Sequence, residues 1–158
     1  MTNYTFKPMS DQEARAIADW HYEAPYSFYD FRNDEEDLGE LLDSKARQGI
    51  YYSVYDTQNS LIGFFCFEKK EETVEVGLGM RPDLTGKRLG QAFIQAGLNF
   101  AEEKFNPSIF SLSVAIFNER ALKLYKRIGF KIMDQVTQKS NDGVYSFYNM
   151  MRSVDGRK

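Results

Sequence analysis

The chain has 158 residues, 42% hydrophobic and 15% aromatic, with 20 basic against 23 acidic side chains and a net charge of −3. That length suits one domain, the composition excludes general disorder, and the acidic balance argues against a nucleic-acid partner while suiting a cationic one. No apolar run approaches the roughly 18–20 residues of a membrane span, and no signal-peptide pattern opens the chain.

Cys66 is the single cysteine and His21 the single histidine. A lone cysteine makes no internal disulfide, so a cytoplasmic protein without a membrane partner is expected, and one His with one Cys argues against a zinc site. Residues 4–9 read as a strand, and Ser10 or Asp11 caps a helix running to about Trp20. Residues 21–31 are rich in aromatics but hold no steady period, which predicts a loop or a broken helix. Residues 34–48 predict one helix, with Leu38, Leu41, Leu42 and Lys45 near one stripe and Gly49 as its stop.

Strands follow at 51–56, 61–69 and 73–80, joined by connections short enough for hairpins. Cys66 falls in the apolar run Leu-Ile-Gly-Phe-Phe-Cys-Phe and reads as a buried strand residue rather than a nucleophile. The loop at 81–90 leads into a helix whose Ile94, Gly97, Leu98, Ala101 and Phe105 keep the 3.6 period; Pro107 breaks it. A strand at 109–116, a helix opened by Asn118, and strands at 130–138 and 144–151 complete the chain. This order predicts a mixed α/β (α+β) sheet, in which the helical crossover makes strands 73–80 and 109–116 parallel neighbours. With no repeats or linkers, residues 1–158 read as a single domain.

Two segments carry chemistry. The run Asn118-Glu-Arg-Ala-Leu-Lys-Leu-Tyr-Lys-Arg-Ile-Gly-Phe130 is a short helix with Asn118 as N-cap, Gly129 as its left-handed stop, and Ala121, Leu124, Tyr125 and Ile128 on one face. Taken alone, Tyr125 reads as a core aromatic whose hydroxyl finds a partner. The run Met80-Arg-Pro-Asp-Leu-Thr-Gly-Lys-Arg-Leu-Gly-Gln91 joins a strand to a helix start, where free amides and the helix dipole favour an anion. It is not a Walker A loop, since Arg88 follows Gly86-Lys87. Gly77-Leu-Gly79 is not a dinucleotide fingerprint either, because Pro82 stands where its third glycine belongs.

The pattern Asn-x-x-Ala-x-x-Leu-Tyr-x-x-x-Gly-Phe at 118–130 and the segment Thr85-Gly-Lys-Arg-Leu-Gly90 resemble two segments of the GNAT superfamily of acetyl-CoA-dependent N-acetyltransferases. The resemblance covers about residues 61–151, and the stretch 75–82 looks most like the branch that acetylates ribosomal-protein amino termini and its small-molecule relatives. It implies a GNAT-like fold with a mostly antiparallel central sheet and one splayed parallel strand pair. Thr85 replaces the family's Gln or Arg, and Arg88 replaces its first signature glycine. Either the Arg88 side chain points away and only its amide is used, or cofactor binding is weakened; the first is favoured, because a helix-entry residue need not have positive φ.

What the resemblance implies for the site is specific. Leu78, Gly79 and Met80 would pair with the pantetheine arm, Gly77 and Gly79 letting the ligand approach. Thr85, Gly86, Lys87, Arg88, Leu89, Gly90 and Gln91 would hold the diphosphate, with Asn118 serving the arm or simply capping its helix. Tyr125 would protonate the leaving thiolate. Removing a proton from an alkylammonium costs roughly 4–5 kcal/mol at neutral pH, and Glu75, on the strand face of Gly77 and Gly79, is the candidate base or else a solvated carboxylate. His21, Glu23, Tyr26 and Tyr29 form the candidate acceptor pocket, or a packed lid. The expected activity is transfer of acetyl from acetyl-CoA to a primary amine by direct attack, a small molecule favoured. The alternatives are peptide or protein N-terminal acetylation and a non-catalytic acetyl-CoA sensor; no metal is expected, and a homodimer is compatible.

Overall fold

The structure, a computed structural model, describes residues 4–140 and 143–154. Seven strands make one sheet: β1 (Thr5–Pro8), β2 (Tyr51–Tyr55), β3 (Leu61–Lys70), β4 (Thr73–Met80), β5 (Ile109–Ala115), β6 (Lys131–Ser140) and β7 (Gly143–Ser153). Their order is β1-β2-β3-β4-β5-β7-β6, and every neighbouring pair is antiparallel except β4 and β5. The helices are α1 (Asp11–Ala18), α2 (Glu35–Leu42), α3 (Ser44–Arg47), α4 (Gly90–Phe105) and α5 (Glu119–Arg127). The parallel pair is the one that the α4 crossover requires.

Strand alternation divides the core in two. Tyr52, Val54, Phe65, Phe67, Val74, Val76, Phe110, Leu112 and Met150 pack with Phe93, Ile94, Leu98 and Ala101 of α4 and Tyr125 of α5. Tyr51 and Phe64, with Cys66 beside them, pack on the other side with Ala14 and Ile17 of α1 and Leu41 of α2. Phe65 and Phe67 are almost wholly buried and stack with ring centroids 5.5 Å apart. Each such side chain contributes roughly 1.5–3 kcal/mol by leaving water. Gly97 lets α4 sit down on this surface, since a β-carbon there would lie 2.2 Å from the Phe65 ring.

The start of α1 carries a full capping box: Glu13 N–H donates to Ser10 Oγ at 3.1 Å, and Ser10 N–H donates to Glu13 Oε1 at 2.9 Å. One expectation is corrected. Residues 34–48 form two helices, because Asp43 leaves the helical region (ψ 113) and its carboxylate accepts the Lys45 N–H at 2.9 Å, acting as a cap in mid-run. The aromatic stretch is broken as expected, into short 3-10 turns at Tyr26–Tyr29 and Phe31–Asn33. Among the described residues no helix is long and apolar enough to cross a membrane.

Candidate functional site

β4 and β5 share register only at Thr73↔Ile109, Val74↔Phe110 and Glu75↔Ser111. Beyond Glu75 they part, and a cavity of about 540 Å³ opens. Val76 through Met80 form one wall, Leu112 through Val114 the other, and Tyr125 enters from α5. Strand groups without a strand partner are costly unless something else pairs with them, so a bound extended chain is the natural occupant.

Tyr125 is 8% exposed and packs edge-on to Phe130, with ring centroids 5.9 Å apart. Burial, with the nearby Tyr29 adding to it, pushes its phenol well above the ordinary tyrosine range. Asn118 does two things: its Oδ1 accepts the Ala121 N–H at 3.2 Å, capping α5, and its Nδ2 donates to the Tyr29 hydroxyl at 3.1 Å. Burial pushes the Tyr29 phenol up as well.

The loop before α4 runs from a 3-10 turn at Pro82–Leu84 through Thr85, whose hydroxyl donates to the Pro82 carbonyl at 2.8 Å. Gly86 (φ 75) and Arg88 (φ 61) are both left-handed, and Gly86 through Leu89 are exposed. The positive φ at Arg88 departs from the expected helix-entry geometry. Reversing the chain into α4 needs left-handed backbone on both sides of Lys87, and a β-carbon there costs about 1–2 kcal/mol. Leu89, the N-cap of α4, offers no side-chain acceptor, so the helix's first amides remain open to a ligand. Arg120 adds a positive charge to the same space: its Nη1 lies 3.1 Å from where a Gly86 β-carbon would stand, and its guanidinium rests 4.4 Å from the Tyr26 ring centroid.

Several expected residues are placed differently. Glu75 sits on the paired part of β4, exposed and 3.6 Å from Lys70 Nζ, and does not line the cavity. The space over Gly77 and Gly79 is filled by the chain itself: β-carbons there would lie 2.5 Å from Cys66 Sγ and 2.4 Å from the Phe64 ring. The Met80 carbonyl already accepts the Tyr22 hydroxyl at 2.7 Å. Leu78, Gly79, Met80, Thr85 and Asn118 line the cavity, whereas Gln91 borders a different hollow.

Tyr26 and Tyr29 also line the cavity, but His21 and Glu23 do not. The His21 side chain is 78% exposed and holds Asp30 Oδ2 through Nδ1 at 2.6 Å, while Asp30 Oδ1 accepts the Tyr22 N–H at 2.9 Å. Asp30, 7% exposed, thereby pins the aromatic segment. Phe28 packs on Phe117, Tyr145 and Phe147, so this segment covers the cavity like a lid.

Sequence reasoning missed the acidic side of the cavity. Asp34 and Asp37 line the cavity with Trp20, Phe31, Tyr51, Phe64 and Cys66. The Asp37 carboxyl is pushed up to about 6, first by partial burial and then by Asp34 and Glu40, while Glu40 accepts the Tyr51 hydroxyl at 3.2 Å. Among the described residues none of these three carboxylates forms an ion pair. The available signal was the run Asp-Glu-Glu-Asp at 34–37, which also reads as ordinary helix capping. Burial pushes the Cys66 thiol up to about 12, with Glu40 contributing, so it stays protonated and inert near neutral pH.

Comparison with known proteins bears on this arrangement. A family model described as acetyltransferase (GNAT) family matches residues 12–130. No curated protein sequence matches the chain. Among solved structures, spermidine N-acetyltransferase from Vibrio cholerae in complex with CoA and spermine superposes with a TM-score of 0.76 at 19% identity, covering 95% of each chain. A chimera of that enzyme with hSSAT gives 0.77 at 20% identity, again over 95% of each chain. A GNAT-family acetyltransferase from Bacillus anthracis gives 0.76 at 16% identity, over 97% of this chain and 98% of that one. At such identities these likenesses speak for the fold, and the family match over most of the length speaks for descent: the chain belongs to the GNAT family of acetyltransferases.

Proposed function

We propose that this protein transfers an acetyl group from acetyl-CoA to a primary amine of a small cationic molecule by direct attack. The observation that carries the reading is the gap between β4 and β5, with Tyr125 at its side and the uncapped start of α4 beyond it. A thioester carrier of this kind supplies an activated acyl group. Leu78 and Gly79 would offer backbone to its arm, the exposed turn at 86–89 and the uncapped start of α4 would take its diphosphate, and Lys87 and Arg120 would add positive charge. A left-handed Arg88 leaves the amides in place and puts its side chain where the family has none.

The raised pKa of Tyr125 defines its part. A phenol that stays protonated well beyond neutral pH serves as a constant hydrogen-bond donor to a departing sulfur as negative charge builds there. Glu75 is withdrawn as the base because it does not border the cavity. Asp37, held up to about 6, is suited to receive an ammonium and to take its proton.

The small-molecule reading is supported by the aromatic cover over the cavity and by Asp34 and Asp37, which line it and form no ion pair among the described residues. A structural neighbour that holds spermine points the same way, toward an acceptor with more than one positive charge. The test is thiol release from acetyl-CoA with a panel of monoamines, diamines, polyamines and short peptides. Turnover should be highest with a diamine or polyamine. A preference for peptide amino termini would replace this acceptor, and acetyl-CoA binding without turnover on any amine would leave a sensor.

A further inference from the structure

Ser113 on β5 lines the cavity just beyond Ser111, the last β5 residue in register with β4. Phe110, Leu112 and Val114 pack into the core beneath α4, so alternation turns Ser113 to the opposite face, the one covered by α1 and α2. That is the side from which Asp37 reaches the cavity.

Ser113 is the inner end of a polar row. It stands opposite Asn149 on β7, and Asn149 stands opposite Asp134 on β6, so the three side chains share one face of the sheet. Ser113 Oγ donates to Asn149 Oδ1 at 2.6 Å, and Asn149 Nδ2 donates to Asp134 Oδ1 at 2.6 Å.

The direction of this row is set at its outer end. A carboxylate accepts hydrogen bonds and donates none, so Asn149 must present its amide nitrogen to Asp134. Its carbonyl oxygen then faces Ser113, and that oxygen only accepts. The Ser113 hydroxyl therefore commits its one proton to Asn149. A serine hydroxyl is ordinarily both donor and acceptor; toward the cavity this one offers lone pairs alone.

An oxygen of that kind pairs with an N–H and repels a carbonyl or ether oxygen. We propose that Ser113 is a specificity-determining residue that accepts a hydrogen bond from the amine end of the acceptor, and that Asn149 and Asp134 are positioning residues that keep its proton turned away. The identity of the ligand rests on the transferase reading. Asp37 attracts the positive charge, whereas Ser113 reads the presence and direction of an N–H. Asp134 does not line the cavity, so its carboxylate acts through the orientation of the row and not by touching the ligand.

The test is calorimetry of 1,4-diaminobutane, with and without CoA, on the full chain and on Ser113→Ala, Ser113→Thr, Asp134→Asn and the double variant Ser113→Ala/Asp134→Asn. Both positions are exposed, so the fold should hold. Ser113→Ala should raise the dissociation constant of the diamine about fivefold, and Ser113→Thr, which keeps the hydroxyl, should stay near the parent. Asp134→Asn should weaken the diamine about threefold, because the Asn149 amide is then free to turn over and Ser113 to redirect its proton. CoA should bind all variants within about twofold. The decisive readout is coupling: once the Ser113 hydroxyl is gone, Asp134→Asn should have no further effect. Equal effects of Asp134→Asn in both backgrounds would mean plain attraction by a distant charge and would overturn the proposal, as would an unchanged constant in Ser113→Ala. Binding needs no turnover, so the two readings fail separately. Thiol release with an unaffected Ser113→Ala keeps the transferase and removes this contact, whereas a parent that binds no diamine removes both the contact and the small-cation acceptor.

Discussion

The carrier side and the acceptor side of the cavity are made of different material. On the proposed reading, carrier recognition would rest on backbone: the part of β4 beyond its register with β5, left-handed turns at 86 and 88, and a helix start without a side-chain cap. Acceptor recognition would rest on side chains brought from α1, the 3-10 turns, α2, β2 and β3, and they are aromatic and acidic. Backbone amides bind a diphosphate whatever residues carry them, so a carrier side built this way would tolerate Thr85 and Arg88. A side-chain pocket changes its ligand with each substitution.

The largest effect that would sharpen this contrast belongs to Tyr125, the one side chain on the carrier side with a chemical task. Tyr125→Phe should lower kcat by about 100-fold while calorimetry finds CoA affinity nearly unchanged. An unaltered kcat would leave the carrier side with binding alone.

Next comes Asp37 on the acceptor side. Asp37→Asn should raise the dissociation constant of a diamine about threefold to tenfold and barely alter that of CoA. In the parent, diamine binding should strengthen as pH rises through about 6, where this carboxyl ionises, and the variant should lose that step. The stability sign runs the other way. A carboxyl whose folded-state pKa is raised from 3.8 stabilises the fold while protonated, and that contribution disappears as pH rises through about 6. At pH 7 the variant should therefore melt no lower than the parent; a clear drop would make Asp37 structural.

The smallest effect tests the backbone character of the carrier side. Arg88→Gly removes a β-carbon from a left-handed position and should add about 1 kcal/mol of stability, read by denaturant unfolding, with CoA affinity kept within a few-fold. A large loss of affinity would show that the Arg88 side chain, rather than its amide, meets the carrier.

The same contrast explains what could be read from the sequence. Apolar runs between short turns located every strand and the crossover length the parallel pair, because these are local or nearly local signals. Tyr125 and the loop at 85–91 were legible because each lies inside one continuous segment. Asp30, Asp34, Asp37 and Tyr22 reach the cavity through tertiary packing, and a charge run at a helix start looks alike whether it caps the helix or faces a ligand. Glu75 misled for a related reason. Alternation gives the face of a strand correctly but does not say where along it the neighbouring strand departs.

The ties from Tyr29 to Asn118 and from Tyr26 to Arg120 join the covering segment to the helix that carries Tyr125. On the proposed reading, substrate choice and donor affinity would therefore be coupled variables rather than separate dials. Redesigning positions 26 or 29 to admit a bulkier amine should shift the saturation curve for the donor, and by reciprocity the donor's concentration should reset the apparent preference among amines.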